Sequence, residues 1–290
     1  MKLPQLPPRE AASHKGHYGR ALLIGGSAGM TGAIGLAGMG ALRGGAGLVT
    51  LGVPATCQPV VAAYEPSYMT WALTADSEGR LDLPALDLIK QRQADFNCWA
   101  CGPGLGRSAA LVQLVAWLYE NIEQPLILDA DAIYALGERE EGLAAPAGPR
   151  ILTPHPGEFQ FLNPPRGPTT SATEQLRERD EARATELAQM HQLVIVLKGH
   201  RTLVTDGQQS FRNDTGNPGM ATGGSGDVLT GLITALVCQG LDVLSAACLG
   251  VHVHGRAGDL AALQLGQAGL IASDLVQFLP VAMDEQTRQT

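Results

Sequence analysis

The residues best suited to chemistry lie in a glycine-rich segment, NDTGNPGMATGGSGD, at positions 213–227. Gly223, Gly224 and Gly226 precede an apolar segment that predicts a helix beginning near Gly226. Backbone N–H groups at the start of a helix lack partners and lie at the positive end of its dipole, so several of them would converge on one anion. Asp227, in the first turn, is then either a capping group or a general base that takes a proton from an attacking hydroxyl beside a phosphate.

A second glycine turn suggests a different chemistry. Gly104, Gly106 and Ala109 fit the GxGxxA pattern of dinucleotide-binding folds, and Asp129 follows twenty residues after Ala109 at the end of an apolar run. The turn lies several strands into the chain, where a tight strand-to-helix turn, or a loop that contacts a ligand through its backbone, is also consistent with the pattern. The sequence contains no GK[ST], which excludes a P-loop.

Two further candidates follow the strand-like run at 150–155. His155 lies between two prolines, and Glu158 is three residues further on. Ligands of α/β sheets bind beyond the carboxyl ends of strands, so both are candidate site residues. Glu158 either holds Mg²⁺ through water or is a structural carboxylate. His252 and His254, at i and i+2, point apart on a helix and do not predict a joint metal site.

Composition limits the class of protein. Of 290 residues, 45% are hydrophobic and 17% charged, which predicts a large buried core and excludes a disordered chain. The net charge of −8, with scattered basic residues, argues against nucleic acid as the main partner. The 36 glycines and 18 prolines show no three-residue period, so we expect them at turns, close backbone approaches and anion-binding loops.

Cysteine content and the N-terminal residues bear on location. Five cysteines are an odd number in a chain too large to need a disulfide framework, which is typical of a reducing cytoplasm. Cys98 and Cys101 form a CxxC, but in an extended segment they would face opposite sides, so we expect buried thiols. Prolines interrupt the N-terminus where a signal peptide needs its apolar stretch, and the apolar run at 228–238 is too short to span a bilayer. We expect a soluble cytoplasmic protein.

Short apolar runs alternate with helical segments, which predicts an α/β domain whose parallel sheet is covered on both faces. Asp206 and Gly207 predict a hairpin and hence an antiparallel edge. Ser171 and Glu174 form a capping box for a charged helix, and the proline-rich segment at 163–168 before it is expected to be a surface loop. The predicted strands are 21–26, 48–54, 96–102, 125–131, 150–155, 193–199 and 202–207, and the clearest helices are 31–45 and 108–121.

Six blocks, taken in order, resemble the ADP/ATP-dependent NAD(P)H-hydrate dehydratases, a branch of the ribokinase-like superfamily. The resemblance implies a ribokinase-like three-layer α/β sandwich with a mainly parallel central sheet and an antiparallel edge. It also implies a single domain over 1–290, with residues 1–12 as an N-terminal extension and no epimerase domain. The blocks are SHKGHYGRALLIGGSAGMTGA (13–33), GPGLGR (102–107), LILDADAI (126–133), ILTPHPGEF (151–159), VLKGHRTLVTDG (196–207) and NPGMATGGSGDVLTG (217–231).

The resemblance also implies a role for individual residues. Asp227 matches the superfamily base, and the amides from Gly223 to Gly226, with Gly224 and Gly226 counted as catalytic, would stabilise the transferring phosphoryl group. Glu158 falls where related kinases carry a magnesium-ordering glutamate, here with His155 in place of the usual Asn. The positions that match the hydrate pocket are Ala33, Gly104, His155 and Asp227. Those that match the nucleotide site are Lys198, Gly199, His200, Arg201, Thr202 and Gly226.

The activity implied by the resemblance is a repair reaction. A nicotinamide ring hydrated at C6, as in (6S)-NADHX or NADPHX, is restored to NADH or NADPH at the expense of ADP or ATP, with ADP giving AMP and phosphate, and with Mg²⁺ as the cofactor. The resemblance further implies a homotetramer that works with a separate epimerase. The alternatives are an ordinary ribokinase-like kinase for a vitamin precursor and a non-catalytic nucleotide-binding protein. The superfamily's GxGD signature, intact here from Gly224 to Asp227, argues against the second.

Overall fold

A computed structural model describes residues 3–139, 142–162 and 173–288. Nine strands form one sheet in the order β3-β2-β1-β4-β5-β6-β7-β8-β9. The strands are β1 (Arg20–Ile24), β2 (Leu48–Pro54), β3 (Met69–Leu73), β4 (Cys98–Cys101), β5 (Leu126–Leu128), β6 (Arg150–Leu152), β7 (Val194–Leu197), β8 (Leu203–Thr205) and β9 (Ser210–Arg212).

The sheet is parallel from β3 through β7 and antiparallel at one edge. All pairs among the first seven strands are parallel. Strand β8 pairs antiparallel with both β7 and β9, and the turn between β8 and β9 carries Asp206 and Gly207 as the hairpin prediction requires. Asp206 accepts hydrogen bonds from the backbone N–H groups of Gln208 and Gln209 at 2.9 and 2.7 Å. The antiparallel edge is therefore confirmed.

Helices cover both faces of the sheet, which confirms the three-layer α/β sandwich. Alternate strand residues enter different cores: Leu23 and Ala100 pack with helices of one face, and Leu22 and Trp99 with those of the other. The helices are α1 (Thr31–Arg43), α2 (Gln58–Ala62), α3 (Leu83–Gln91), α4 (Ala109–Asn121), α5 (Asp131–Gly137), α6 (Pro156–Leu162), α7 (Thr173–His191), α8 (Ser225–Cys238), α9 (Val243–Leu265) and α10 (Ala272–Arg288).

The two cysteines of the CxxC belong to different layers. Cys98 is buried in the core on the α1 and α8 side, and Cys101 in the core on the α4 side. Both are free thiols, and burial raises the pKa of Cys98 well above its usual range. The expectation of buried thiols is confirmed.

Within the three described ranges, no helix has the length and apolarity needed to cross a bilayer.

Small residues bring α1 and α8 into close contact. A methyl group added at Gly231 of α8 would collide with the carbonyl oxygen of Ala37 in α1 and lie 2.7 Å from the amide nitrogen of Ala41. On the other helix, a methyl group at Gly40 would collide with the carbonyl oxygen of Val228. The glycine-rich helix predicted at 31–45 therefore packs backbone to backbone against the helix whose N-terminus carries Asp227.

Most predicted elements are present, with shorter bounds. The strands predicted at 96–102 and 202–207 are four and three residues long. Strand β3 was not predicted. The surface loop predicted at 163–168 and the capping residue Ser171 lie outside the described residues.

The α1–α8 contact predicts the effect of one added methyl group. Gly231→Ala should lower the free energy of unfolding by about 1–3 kcal/mol or more, since overpacking a close helix contact forces the backbones apart. Gly32→Ala is the matched control: it lies in α1, has open space around it, and should change stability by less than about 1 kcal/mol, in the stabilising direction. Urea denaturation measures both, and a Gly231→Ala variant as stable as Gly32→Ala would contradict the contact.

Candidate active site

The carboxyl ends of β1 and β4 form the topological switch point of the sheet. The chain proceeds from β1 toward β3 on one side and from β4 toward β9 on the other, and a crevice that accepts ligands is expected beyond such a pair. Two bonds hold the turns after these strands together: Gly26 N–H donates to the Pro103 carbonyl at 2.8 Å, and the Ser27 hydroxyl to the Gly104 carbonyl at 2.9 Å.

Two of the residues predicted to line the hydrate pocket meet at this crevice. A methyl group on Gly104, whose φ is +61°, would lie 3.1 Å from Cβ of Ala33 and would collide with the carbonyl oxygen of Met30. Only glycine therefore allows the β4–α4 turn to approach the start of α1 so closely. The structure brings Gly104 and Ala33 into one wall.

The N-terminus of α8 is built on backbone rather than on a side-chain cap. Gly224 precedes the helix with a φ of +90° and makes no side-chain cap bond. A methyl group there would collide with Leu36 of α1 and lie 3.0 Å from Ala272 of α10. By contrast, nothing lies within 4 Å of a methyl group placed on Gly223. The helix start therefore borders open space at Gly223, as an anion hole requires.

A buried histidine supports this first turn. His254 of α9 is 7% exposed, and its Nε2 lies 2.9 Å from the carbonyl oxygen of Ser225. Burial lowers the pKa of His254 to about 4, against the raising effect of the Ser225 bond, and the Lys198 charge lowers it further. The neutral imidazole therefore donates its Nε2 proton to Ser225 and holds the helix start in place.

Lys198 and Asp129 form an ion pair beneath the same turn. Lys198 Nζ lies 2.7 Å from Asp129 Oδ1, and the Thr230 hydroxyl donates to Asp129 Oδ2 at 2.7 Å. Asp129 is 1% exposed, so both oxygens of a buried carboxylate are satisfied. Asp129 is not free to bind a ribose, which the dinucleotide pattern at Gly104 would require.

The backbone is strained at Ala130, the residue that follows Asp129. Ala130, between Asp129 and the start of α5, has φ and ψ of 51° and −120°. Such a conformation costs a non-glycine residue about 1–3 kcal/mol and persists where the surroundings hold it. Here Asp129 is held by Lys198 and Thr230 on one side, and Asp131 accepts from the Gly106 N–H at 2.9 Å on the other.

Asp227 is the carboxylate with the most unusual environment. It is partly buried and accepts no hydrogen bond from any residue within the described ranges. Burial is the main cause that raises its pKa to about 7. The charge of Asp129 raises it further, Lys198 opposes the rise, and Glu158 and Asp131 add to it. An unbonded carboxylate with this pKa is suited to accept a proton near neutral pH.

His155 and Glu158 form a reciprocal cap at the start of α6. His155 Nδ1 accepts from the Glu158 N–H at 3.3 Å, and Glu158 Oε2 accepts from the His155 N–H at 2.8 Å. The imidazole is 56% exposed, and Glu158 Oε2 also lies 3.7 Å from Lys198 Nζ. The structure therefore places Glu158 beside the Lys198–Asp129 pair and His155 against Glu158. Both residues have a structural role in addition to any contact with a ligand.

The nucleotide-binding residues predicted at 198–202 form the tight turn between β7 and β8. The Thr202 hydroxyl donates to the Gly199 carbonyl at 3.0 Å. Arg201 has a φ of +57°, and its carbonyl accepts from Arg177 at 2.9 Å. The side chains of His200 and Arg201 are exposed and make no hydrogen bond or ion pair with the part of the chain that is described. They are free to contact a nucleotide.

The segment before the anion hole is anchored to α9. Asp259 accepts from the Gly216 N–H and from Asn217 Nδ2, both at 3.0 Å, and the Thr215 hydroxyl donates to the His252 carbonyl at 2.8 Å. A methyl group on Gly255 would collide with Thr215. The glycine in α9 thus lets the loop lie directly on the helix.

The structure gathers Asp227, Gly226, Lys198 and Glu158 around one point, which the sequence presents as three separate motifs. A methyl group on Gly226 would lie 3.1 Å from Lys198 Nζ. The roles of Asp129, Thr230 and His254 were missed. Local signals could have identified two of them, because Asp129 ends a strand-like run in LILDAD and Thr230 lies three residues after Asp227. No local pattern predicts that His254 contacts Ser225.

A magnesium ion fits this donor set only in part. Among the described residues, no three Asp, Glu, His or Cys side chains converge as a metal cage. Both Asp129 oxygens are taken by Lys198 and Thr230, and Glu158 is occupied by the His155 cap. These carboxylates fit a Mg²⁺ that is carried by nucleotide phosphates and keeps several waters, which is how this cation is usually bound.

Fold and site together define a class of protein. A ribokinase-like superfamily protein from Enterococcus faecalis matches with a TM-score of 0.78 at 28% identity, over 97% of this chain and 92% of that chain. The ADP/ATP-dependent NAD(P)H-hydrate dehydratase from Bacillus subtilis, co-crystallized with ATP and Mg²⁺, matches with a TM-score of 0.80 at 34% identity, over 97% and 95%. The ribokinase-like fold is therefore confirmed.

The particular family follows from the sequence matches. The family model described as NAD(P)H-hydrate dehydratase matches residues 21–281, and the chain belongs to that family. It is 47% identical over 281 residues to the bifunctional NAD(P)H-hydrate repair enzyme of Moorella thermoacetica, which covers 96% of this chain and 52% of that protein. It is 38% identical over 274 residues to the ADP-dependent (S)-NAD(P)H-hydrate dehydratase of Neisseria meningitidis, over 92% and 86%. The chain thus spans about half the length of the bifunctional relatives.

The environment of Asp227 predicts a stability effect that depends on pH. The carboxyl binds its proton more tightly in the folded state, where its pKa is about 7, than at its ordinary value of 3.8. Folding therefore loses stability as pH rises between these values. Asp227→Asn cannot ionise, so it should be more stable than the wild type at pH values above 7, and the difference should fall toward zero below pH 4.

Urea denaturation across this pH range measures the difference. Asp87→Asn is the matched control, because Asp87 is 75% exposed on α3 and lies outside the cluster. An Asp227→Asn variant that is less stable than the wild type at pH 8 would contradict the assigned environment.

Proposed function

We propose that this protein catalyses the ADP-dependent dehydration of (6S)-NADHX and NADPHX to NADH and NADPH. The observation that carries the proposal is the Asp227 carboxylate, which has no hydrogen-bond partner among the described residues and a pKa of about 7. It lies in the first turn of α8, whose start borders open space at Gly223. Membership of the NAD(P)H-hydrate dehydratase family supports the reaction class.

In the first step, Asp227 takes the proton of the hydrate's C6 hydroxyl. The alkoxide oxygen that forms attacks the terminal phosphorus of the nucleotide. One O–P bond forms and the bond from that phosphorus to the leaving oxygen breaks, so that ADP gives AMP. Because hydroxide is a poor leaving group and phosphate a good one, this step prepares the C6 oxygen for departure.

The site offers two sources of positive potential that would stabilise the phosphoryl group during its transfer. The amides from Gly223 to Gly226 lie at the positive end of the α8 dipole. Lys198 Nζ lies against Gly226 and is held there by Asp129. A lysine whose position is set before the substrate arrives needs no reorganisation during the reaction.

The second step releases phosphate and needs little from the protein. The lone pair of the ring nitrogen expels phosphate from C6, and loss of a proton from C5 to the departing phosphate restores the C5–C6 double bond. The proton held by Asp227 passes to solvent, and the sum is hydrate plus ADP giving NADH, AMP, phosphate and one proton. The role of the residues is to hold the ring beside Gly104 and His155 and to exclude water from the reacting carbon.

Nucleotide and metal are assigned to the other side of Asp227. Lys198, Gly199, His200, Arg201, Thr202 and Gly226 would contact the nucleotide. Mg²⁺ would be held by its phosphates and, through water, by Glu158. A bound Mg²⁺ would neutralise charge on the phosphates. The Bacillus subtilis relative co-crystallized with ATP and Mg²⁺ and the Neisseria meningitidis relative named as ADP-dependent support this pair of ligands.

We further propose a cytoplasmic homotetramer that depends on NAD(P)H-hydrate epimerase activity. Five free thiols suit a reducing compartment. The relatives named bifunctional repair enzymes support the link to an epimerase. Light scattering of the purified protein tests the tetramer.

The proposal predicts a product that a kinase would not make. Incubation with hydrated NADH and ADP should restore the absorbance band of the reduced nicotinamide and release one phosphate per ring. The rate should rise with pH through about 7, as Asp227 loses its proton. Asp227→Asn should lower kcat by about 100-fold or more.

The same assay tests the alternatives. A stable phosphorylated alcohol without restored absorbance would indicate a vitamin-precursor kinase. Binding of nucleotide with no product would indicate a non-catalytic protein. Full turnover by Asp227→Asn would refute the base while leaving the function intact. Asp87→Asn is the control expected to match the wild type.

A further inference from the structure

We propose that Arg107 binds a phosphate group of the dinucleotide substrate, an inference that rests on the proposed function. Arg107 follows directly on the Gly104–Gly106 turn and is 56% exposed. It belongs to none of the residue sets assigned above.

The guanidinium of Arg107 is held in a fixed plane before any ligand binds. Its central carbon lies 4.0 Å from the ring centroid of Tyr134 and 6.0 Å from that of Phe161. Its Nε donates to Asp131 Oδ1 at 3.2 Å. Stacking and one hydrogen bond thus orient the group, while both terminal amino groups make no hydrogen bond to any residue in the ranges described.

Asp131 ties Arg107 to the turn between β4 and α4. Asp131 contacts Arg107 through one oxygen and accepts from the Gly106 N–H through the other at 2.9 Å. The charge of Asp131 also contributes to the raised pKa of Asp227, so the two carboxylates belong to one electrostatic cluster. The free amino groups of Arg107 therefore stand at the rim of the turn that holds Gly104.

The charge at this end of the sheet explains the need for such a group. Asp129, Asp131, Glu158 and Asp227 lie around the reacting centre, and the chain carries a net charge of −8. A dinucleotide brings a diphosphate, and NADPHX adds a 2′-phosphate. Binding these anions requires a cation whose N–H donors are not already hydrogen-bonded within the protein.

Two other cations at this end of the sheet, among the residues described, are already engaged. Lys198 pairs with Asp129, and Arg80 pairs with Asp76 and Glu78 at 2.9 and 3.0 Å. Arg80 also donates to the Arg107 carbonyl at 2.9 Å, which fixes the backbone from which Arg107 extends. Two parallel amino donors on a planar guanidinium match two oxygens of a phosphate.

Kinetics of Arg107→Ala and Arg107→Lys test the proposal. The KM for the hydrate should rise about 10-fold or more for both variants, because lysine keeps the charge but not the planar pair of donors. The KM for ADP and the value of kcat should stay within about 2-fold. Three substrates locate the contact: hydrated NADH, hydrated NADPH and the hydrate of the reduced mononucleotide.

Each pattern of KM has one meaning. Losses for all three hydrates place the contact at the phosphate on the nicotinamide side of the diphosphate. Equal losses for both dinucleotides, with none for the mononucleotide, place it at the phosphate on the adenosine side. A loss confined to NADPHX places it at the 2′-phosphate. Unchanged KM for all three hydrates, or a rise for ADP instead, overturns the proposal.

The chain offers a matched control in Arg92. Its guanidinium carbon lies 4.6 Å from the Trp71 ring centroid, its Nε lies 2.8 Å from Asp95, and its side chain is 44% exposed. It shares the stacking and the carboxylate of Arg107 but precedes the amino end of β4, away from the site. Arg92→Ala should leave every KM unchanged. If Arg92→Ala raised the KM for the hydrates as much as Arg107→Ala does, the effect of Arg107→Ala would reflect a general loss of stability and the proposal would be overturned.

Binding of NADPH itself separates this proposal from the proposed function. Fluorescence titration of wild type and Arg107→Ala with NADPH needs no turnover, and Kd should rise about 10-fold in the variant. Wild-type protein that binds NADPH but leaves the hydrate unchanged would refute the proposed function alone. Equal Kd values would refute the role of Arg107 alone.

Discussion

The ion pair between Lys198 and Asp129 is the interaction on which this site depends. It joins residues 69 positions apart, one after β7 and one after β5, beneath the first turn of α8. Three other carboxylates act on Asp227 there, and the repulsion from their charges adds to burial in raising its pKa. Lys198, one of four lysines in the chain, offsets that repulsion for Asp129, whose second oxygen is bonded by Thr230. Asp227 is left with a raised pKa and a free carboxylate.

The same constraint explains where glycine is concentrated. The absence of a side chain on Gly226 leaves room for Lys198 beside the start of α8, and Gly231 and Gly40 let α1 and α8 touch backbone to backbone. Farther along, Gly255 lets the loop that precedes the anion hole lie on α9. A chain with few aromatic residues and many glycines therefore builds its site from close backbone contacts.

The sequence predicts the layers of this fold and the place of Asp227, because both follow from local patterns. Continuous apolar runs indicate buried parallel strands, and three glycines before an apolar helix indicate an anion hole. Strand β3 escapes prediction because it lies near the sheet edge, with Met69 exposed and Leu73 buried, and lacks a continuous apolar run. The partners of Asp129 and His254 could not be predicted from the sequence, because their pairing depends on how β5, α8 and α9 pack in three dimensions. His155 and Glu158 were seen as site candidates, but their mutual cap on α6 is visible only in the structure.

The central claim is that Asp227 activates the C6 hydroxyl so that this oxygen is phosphorylated before it leaves. The oxygen's fate tests the claim most directly. A hydrate prepared with ¹⁸O in the C6 hydroxyl would be incubated with ADP, and the phosphate released would be analysed by mass spectrometry. Transfer to the hydroxyl followed by elimination predicts one ¹⁸O atom in every phosphate and none in water. Unlabelled phosphate, with the label in water, would show that the nucleotide is hydrolysed separately from the departure of hydroxide and would contradict this account.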